Sequence, residues 1–354
     1  MVCPIVSVVM VVCNVDRYLA EAIESVLNQS FRDFEFIIVD FGSTDNSKLI
    51  SSSYAAKDGR IRLHTIPHCG LTEARNAVCM LTRGRYLAIQ DADDISFCDR
   101  LSLQVEFMEK HPEVDVVGGT TEWVDLHAKP LRTHNVPTED RDIKEALLTR
   151  NPFVHSSVLM RREAFLRVGG YRAAFAQSED YDLWLRMSER SQCANLKQTV
   201  VKYRLHTCQL SLRKRRQQTH CALAAQASAL ARKLGKPDPL DDVQKITPTV
   251  LADLGVTEAK QQAALFSDYQ DWIYNMFLAK QYSVALNVAI EVAQSDWESI
   301  ERAKIADLHV MIARLYWKQK KRFRGFLVAF QALLMQPRVA GSLFESFLRR
   351  FGLA

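Results

Sequence analysis

Two short runs constrain this chain more than any other feature: IVSVVMVV at 5–12 and FEFIIV at 34–39. Both are apolar and β-branched, and neither alternates with polar residues. A strand of that kind is buried on both faces, as the central strands of a parallel sheet are. Between them, RYLAEAIESVLNQS sets Leu19, Ile23, Val26 and Leu27 on one helical face. The alternation continues. Gly42-Ser43-Thr44-Asp45 offers Ser and Asp to cap the next helix; RIRLHTI then reads as a strand, 72–82 as a helix and 85–90 as a strand. VDVVGGTTEWV (114–124) reads as a further strand pair with a Gly-Gly kink, and the residues from there to SEDYDLWLRMSER as a long amphipathic stretch. The expectation is an α/β fold with a mostly parallel sheet flanked by helices.

At 354 residues a second domain is expected. The character changes where RKRR opens a region rich in Ala, Leu, Gln and Lys, broken at KPDPLDD and ITPTVLADLG. It reads as four or more helices without a strand, so the expected domains are 1–212 and an all-helical 213–354. AKQYSVALNVAIEVAQ resembles one helix of a tetratricopeptide-like pair, but no period is visible, which argues against a repeat array. Residues 201–354 carry 23 Lys and Arg against 13 Asp and Glu; of the chain's 46 and 41, that leaves 23 against 28 for residues 1–200. A net of +10 beside a net of −5 suggests a cation-dependent site in the first part and an anionic surface partner for the second.

The first apolar run lacks a positive leader and is cut off too early to span a bilayer, and no other window does better. The eight cysteines form no Cys-x-x-Cys pair, as in a cytoplasmic protein with reduced thiols. YWKQKKRFRGFLVAFQALL and LFESFLRRF interleave basic and apolar residues; such helices either touch an anionic membrane as a peripheral protein would, or pack on the catalytic domain with their charges solvated. No nucleic-acid-binding module accompanies the charge.

Ligands of open α/β sheets sit beyond the carboxyl ends of the strands. Polar clusters fall there: Asn14, Asp40 to Asp45, and Asp91, Asp93 and Asp94 in YLAIQDADDISFCDR. Like charges this close repel, and each must be hydrated or meet a cation. A hard divalent ion, Mg²⁺ or Mn²⁺, with a substrate phosphate would satisfy them; an acidic turn capping the helix near Asp99 and Arg100 would look the same.

The ordered series VSVVM, YLAEAIESVLNQ, VDFGSTDNS, ARN, GRYLAIQDADDI, DRL, NPFVHSSV, VGGY and SEDYDLWLRM resembles the family 2 glycosyltransferases of GT-A fold, over about residues 5 to 210. The resemblance implies transfer of a sugar from a nucleotide-diphosphate donor to a saccharide or lipid-linked acceptor in surface polysaccharide or glycolipid synthesis. It implies a metal on Asp93 with Asp91 beside it, His206 as a further ligand or a structural hydrogen-bonding His, and Asp180 as the base of an inverting reaction. Read from the residues alone, Ser178 and the acidic pair Glu179-Asp180 would instead cap the helix there; both hold if Glu179 caps while Asp180 points to the crevice. Val12, Asn14, Asp40, Gly42 and Ser43 match positions that meet the nucleotide, Arg75 one that meets the donor, and His155-Ser156-Ser157 a stretch near the acceptor. Trp184 reads as core. Where the family has an aromatic and a second Asp, this chain has Cys13 and Phe41, which leaves UDP only the default nucleotide; Phe41 would stack on the base in compensation. The alternative is a catalytically inactive GT-A-like protein that binds sugar nucleotides or acts as a scaffold. A nucleotidyltransferase would need a Gly-rich basic loop after the first strand, and a processive synthase membrane spans; neither is present.

Overall fold

The computed structural model describes residues 3–206 and 212–341. The chain divides into two compact units, Met1–Arg204 with Cys221–Val250, and Leu205–His220 with Leu251–Ala354.

The first unit is built on a nine-stranded sheet. Its strands are β1 (Val6–Val12), β2 (Phe34–Asp40), β3 (Ile61–Thr65), β4 (Tyr86–Ile89), β5 (Ile95–Ser96), β6 (Val114–Val124), β7 (Pro130–His134), β8 (Leu159–Arg161) and β9 (Gln192–Arg204). In space they run β3-β2-β1-β4-β8-β6-β9-β5, with β7 paired to β6. The first four strands in sequence are parallel, as expected, with Val12 beside Asp40 and Val9 beside Ile89. Every residue of β2 is buried, which is why its run is unbroken by polar positions other than Glu35 and Asp40. Helices α1 (Asp16–Leu27), α2 (Ser47–Ala55), α3 (Leu71–Met80) and α4 (Arg100–Lys110) connect these strands and flank them. α1 buries Leu19, Ala22, Ile23 and Val26, while Leu27 is only half-buried.

The sheet is mixed beyond β4. Residues 114–124 form one strand and not a pair: the glycines shift the register against β9 at Gly119–Thr120 instead of turning the chain. The stretch read as amphipathic holds β7, α5 (Asp140–Leu147), β8, α6 (Arg162–Arg167) and α7 (Glu179–Ser188). β8 is antiparallel between β4 and β6, whereas β9 runs parallel to β6 and antiparallel to β5. β7 and β9 carry polar residues on exposed positions, β8 is only three residues long and the run of β6 is interrupted by Gly118 and Gly119, so none has the continuous apolar signature of β1 and β2.

Next is α8 (Leu212–Lys233); the expected boundary at 212/213 falls in its first turn, and its residues from Cys221 onward group with the first unit. Then come α9 (Pro248–Asp253), α10 (Glu258–Leu278), α11 (Tyr282–Gln294), α12 (Arg302–Lys318) and α13 (Arg322–Met335). Among the described residues after 205 there is no strand, and no helix is long and apolar enough to cross a membrane. A period does emerge here. α10–α11 and α12–α13 are successive hairpins, each turned by a lysine in the left-handed region, Lys280 (φ 59°) and Lys320 (φ 63°). Aligned on those lysines, Ala285 and Ala289 correspond to Gly325 and Ala329, all four buried. A Cβ on Gly325 would lie 2.3 Å from Trp317 Nε1, so the small residue lets α13 close on α12. The repeat escapes a search for a consensus because only the turn and the small contact residues are shared. LFESFLRRF lies outside the described residues.

Candidate active site

Because β1, β2 and β4 are parallel, the loops at their carboxyl ends leave one edge of the sheet together. After β1, Asn14 adopts φ 53°, a region that Asn tolerates better than most residues. The amides of Thr44 (2.8 Å) and Asp45 (3.3 Å) donate to its Oδ1, and its own amide donates to Ser43 Oγ (3.2 Å). Asp40 closes β2 and accepts from the amides of Gly42 (3.1 Å) and Ser43 (3.0 Å) through Oδ1. Its Oδ2 is buried with no hydrogen-bond partner among the described residues. Gly42 has φ 100°, and a Cβ there would lie 2.9 Å from His68 Cβ, so no other residue fits without strain. Asn14, Asp40, Gly42 and Ser43 thus meet in one turn. Val12 is wholly buried beside them, its carbonyl accepting from Phe41 N–H (3.1 Å). The Phe41 ring is 8% exposed and already stacked on His68, with centroids 6.2 Å apart, so little of it is left for a nucleotide base.

The three aspartates after β4 have different surroundings. Asp91 is held by His155, whose Nδ1 lies 3.1 and 3.2 Å from its two oxygens, and by Arg75 Nη2 at 3.4 Å. Burial alone would raise the Asp91 pKa; His155 and Arg75 outweigh it and keep the carboxyl well below its usual range. The second His155 nitrogen bonds the Tyr171 hydroxyl (3.1 Å). Asp94 turns inward and is committed to the fold, accepting from Arg204 N–H (2.8 Å) and from the Ser156 hydroxyl. Its pKa rises through burial and the charges of Asp93 and Asp91. Asp93 remains partly exposed. Behind the cluster, the wholly buried Arg100 donates to the carbonyls of Ile89 (2.8 Å) and Val158 (3.0 Å), and burial pulls it down to about 9.

Arg75 also pairs with Glu179 through Nη1, so one guanidinium joins the loop after β4 to the first turn of α7. Burial would lower the Arg75 pKa, but the two carboxylates hold it above its ordinary value. Glu179 is 1% exposed. Ser178 makes no side-chain cap bond, and Glu179 is turned to Arg75, so the expected cap of α7 is not formed by these two. Asp180, next in sequence, is partly exposed and accepts from Asn151 Nδ2 (3.0 Å). Burial raises its pKa, with Glu179 adding to the effect and His155 and Arg75 opposing it. Trp184 is fully buried core, as read.

The structure therefore gathers Arg75, Asp91 and the Glu179-Asp180 pair into one network, and Asn14, Asp40, Gly42 and Ser43 into a second cluster on the same edge. His206 is buried and belongs to the second unit. Among the described residues no three His, Cys, Asp or Glu side chains come together to hold a metal ion. Asp91 and Asp93 do carry the oxygen donors that Mg²⁺ and Mn²⁺ take, but both oxygens of Asp91 are already met by His155 and one by Arg75. The bonds of His155 and Tyr171 to the Asp91 side, and the roles of Arg100 and Asn151, were not readable in advance. The NPFVHSSV, VGGY and DRL motifs contain these four residues without revealing what they touch.

The model of glycosyl transferase family 2 matches residues 7–169. EpsE of Bacillus subtilis (strain 168) is 36% identical over 208 residues, which is 57% of this chain and 73% of that protein. The chain belongs to glycosyl transferase family 2. Another relative is the O-antigen biosynthesis glycosyltransferase WbnJ of Escherichia coli, 29% identical over 57% of this chain and 80% of its own. The GT-A fold is shared with S. aureus TarS 1–349 at a TM-score of 0.51 and 16% identity, over 94% of this chain and 92% of that one; this chain covers 54% of the longer TarS chain. TarS 1–349 has also been solved in complex with UDP-GlcNAc. Within the matched span this family 2 chain holds Asp40, Arg75, Asp91, Asp93 and His155; Asp180 and His206 lie beyond it.

Proposed function

We propose that this family 2 protein moves a sugar from a nucleotide-diphosphate sugar to the hydroxyl of a saccharide or lipid-linked acceptor, with inversion, in surface polysaccharide or glycolipid synthesis. The observation that carries this reading is Asp180: a partly exposed carboxylate with a raised pKa, one residue from a glutamate tied through Arg75 to the strand-end Asp91. A base tuned upward suits proton removal near neutral pH.

In this reading the nucleoside lies against the Asn14, Asp40, Gly42 and Ser43 turn, where the unpartnered Oδ2 of Asp40 is available to a donor group of base or ribose. A UDP donor is the default and is supported by the UDP-GlcNAc complex of the structurally similar TarS. The diphosphate points toward Asp91 and Asp93. A Mg²⁺ or Mn²⁺ held by Asp93, with Asp91 beside it, would supply charge neutralisation for the departing diphosphate. His155, itself bonded to Tyr171, keeps the Asp91 carboxylate ionised and oriented. Arg75 is already engaged by two carboxylates, so its first task is to fix α7 against the β4 loop, ahead of any contact with the donor. Asn151 holds one oxygen of Asp180, leaving the other to take the proton of the acceptor hydroxyl as that oxygen attacks. One direct displacement inverts the anomeric carbon. A cytoplasmic setting is supported by the seven cysteines among the described residues, all of them free thiols.

A donor screen by mass spectrometry, with Mn²⁺ and EDTA arms, should show one sugar nucleotide consumed only with metal, and NMR of the product should show inverted configuration. Retained configuration, or consumption unaffected by EDTA, would reject the mechanism.

A further inference from the structure

Independently of the transfer reaction, the geometry points to α13 as an interfacial helix that seats this protein on an anionic lipid bilayer. Six large apolar side chains of this one helix stand in solvent; Met335 (41% exposed) ends the helix off to one side, and five share a face: Phe323 (76%), Phe326 (58%), Leu327 (50%), Phe330 (61%) and Leu334 (71%). At about 100° per residue they fall within one arc of about 100°, opposite Gly325, Ala329 and Ala332, which pack inward. The two sides of that arc are held by Arg322 and Arg324, and Lys320 and Lys321 lie just before the helix; all four are exposed. An apolar stripe bordered by cations is the pattern of a helix lying in the headgroup plane with its rings in the acyl boundary.

Charge decides what covers this stripe. From residue 308 to 344 the sequence holds seven Lys and Arg and no Asp or Glu. Among the described residues Lys320, Lys321, Arg322 and Arg324 make no ion pair, so the fold itself gives them no partner. Arg322 and Arg324 also sit in the first turn of α13, where the helix dipole disfavours positive charge, so these two do not serve that helix. A second copy would bring the same positive border against itself. Residues 342–354 contain one Glu and two Arg and offer no compensating charge. An anionic leaflet supplies both the negative charge and the apolar depth.

The test uses the full chain in vesicle flotation, with phosphatidylcholine alone and with equal parts phosphatidylcholine and phosphatidylglycerol. Binding is expected to the mixed vesicles only, weakening as salt is raised. Each of Lys320→Gln, Lys321→Gln and Arg322→Gln should lower the partition coefficient about fivefold. Phe326→Ser with Phe330→Ser should lower it about tenfold or more. Because those rings are exposed, circular dichroism should show the variants folded as the parent. No binding to the mixed vesicles at low salt, or equal binding by parent and Phe variants, overturns the assignment. A self-associated species in light scattering that Phe326→Ser disperses also overturns it, by giving the face to a second copy.

Discussion

If Asp180 is the base, as proposed, Asp180→Asn is expected to lower turnover by about two to four orders of magnitude. Donor affinity measured by calorimetry should stay close to the parent's, since Asp180 faces the acceptor in this reading. The acid limb of kcat/KM should lie above that of an ordinary aspartate because burial raises the Asp180 pKa. Glu179→Gln removes a neighbouring charge that raises it and releases Arg75, so the limb should move to lower pH; a shift the other way would deny the coupling. Asp91 has the opposite sign. Its folded pKa lies below the ordinary 3.8, so it adds stability above about pH 4 that is lost as the pH falls further. Replacing His155 by Gln should flatten that loss in urea titrations across acidic pH. The carboxylates were legible in the sequence because they crowd one strand end, and like charges in contact demand an explanation. Their partners were not: Arg75 stands 16 residues from Asp91 and His155 stands 64 away, and only the folded sheet brings them together.

At the scale of elements, β1, β2 and α1 were readable because burial on both faces, or on one helical stripe, leaves an unmistakable spacing. β9 was not, because its exposed positions carry Gln192, Lys197 and Gln198, and β6 concealed its continuity behind two glycines that shift register. The turn after β2 depends on backbone geometry. Gly42→Ala would place a side chain at φ 100° and 2.9 Å from His68 Cβ, at a cost of about 1–3 kcal/mol, visible in denaturant unfolding and as weaker nucleotide binding. In the second hairpin, Gly325→Val should force α13 away from Trp317, destabilising that hairpin by about 1–3 kcal/mol and changing the Trp signal in near-ultraviolet circular dichroism.

For the whole molecule, the division of charge was plain in the sequence, an acidic part that holds the strand-end carboxylates and a basic part that holds the exposed face of α13. The assignment of residues 221–250 to the first unit was not, since a helix carries no mark of which core it joins. A nucleotide diphosphate with Mn²⁺ at roughly a hundredfold over Kd should stabilise the native protein by about 2.7 kcal/mol, and Asp93→Ala should remove that gain. The guanidinium of Arg75 has a consequence for the kinetics. It grips one carboxylate at the strand end and another beside the base, so altering the charge at either grip is felt at the other. In the proposed reaction, occupancy of the strand end by the donor and proton uptake at Asp180 are therefore linked in both directions, each favouring or opposing the other by the same amount whichever comes first.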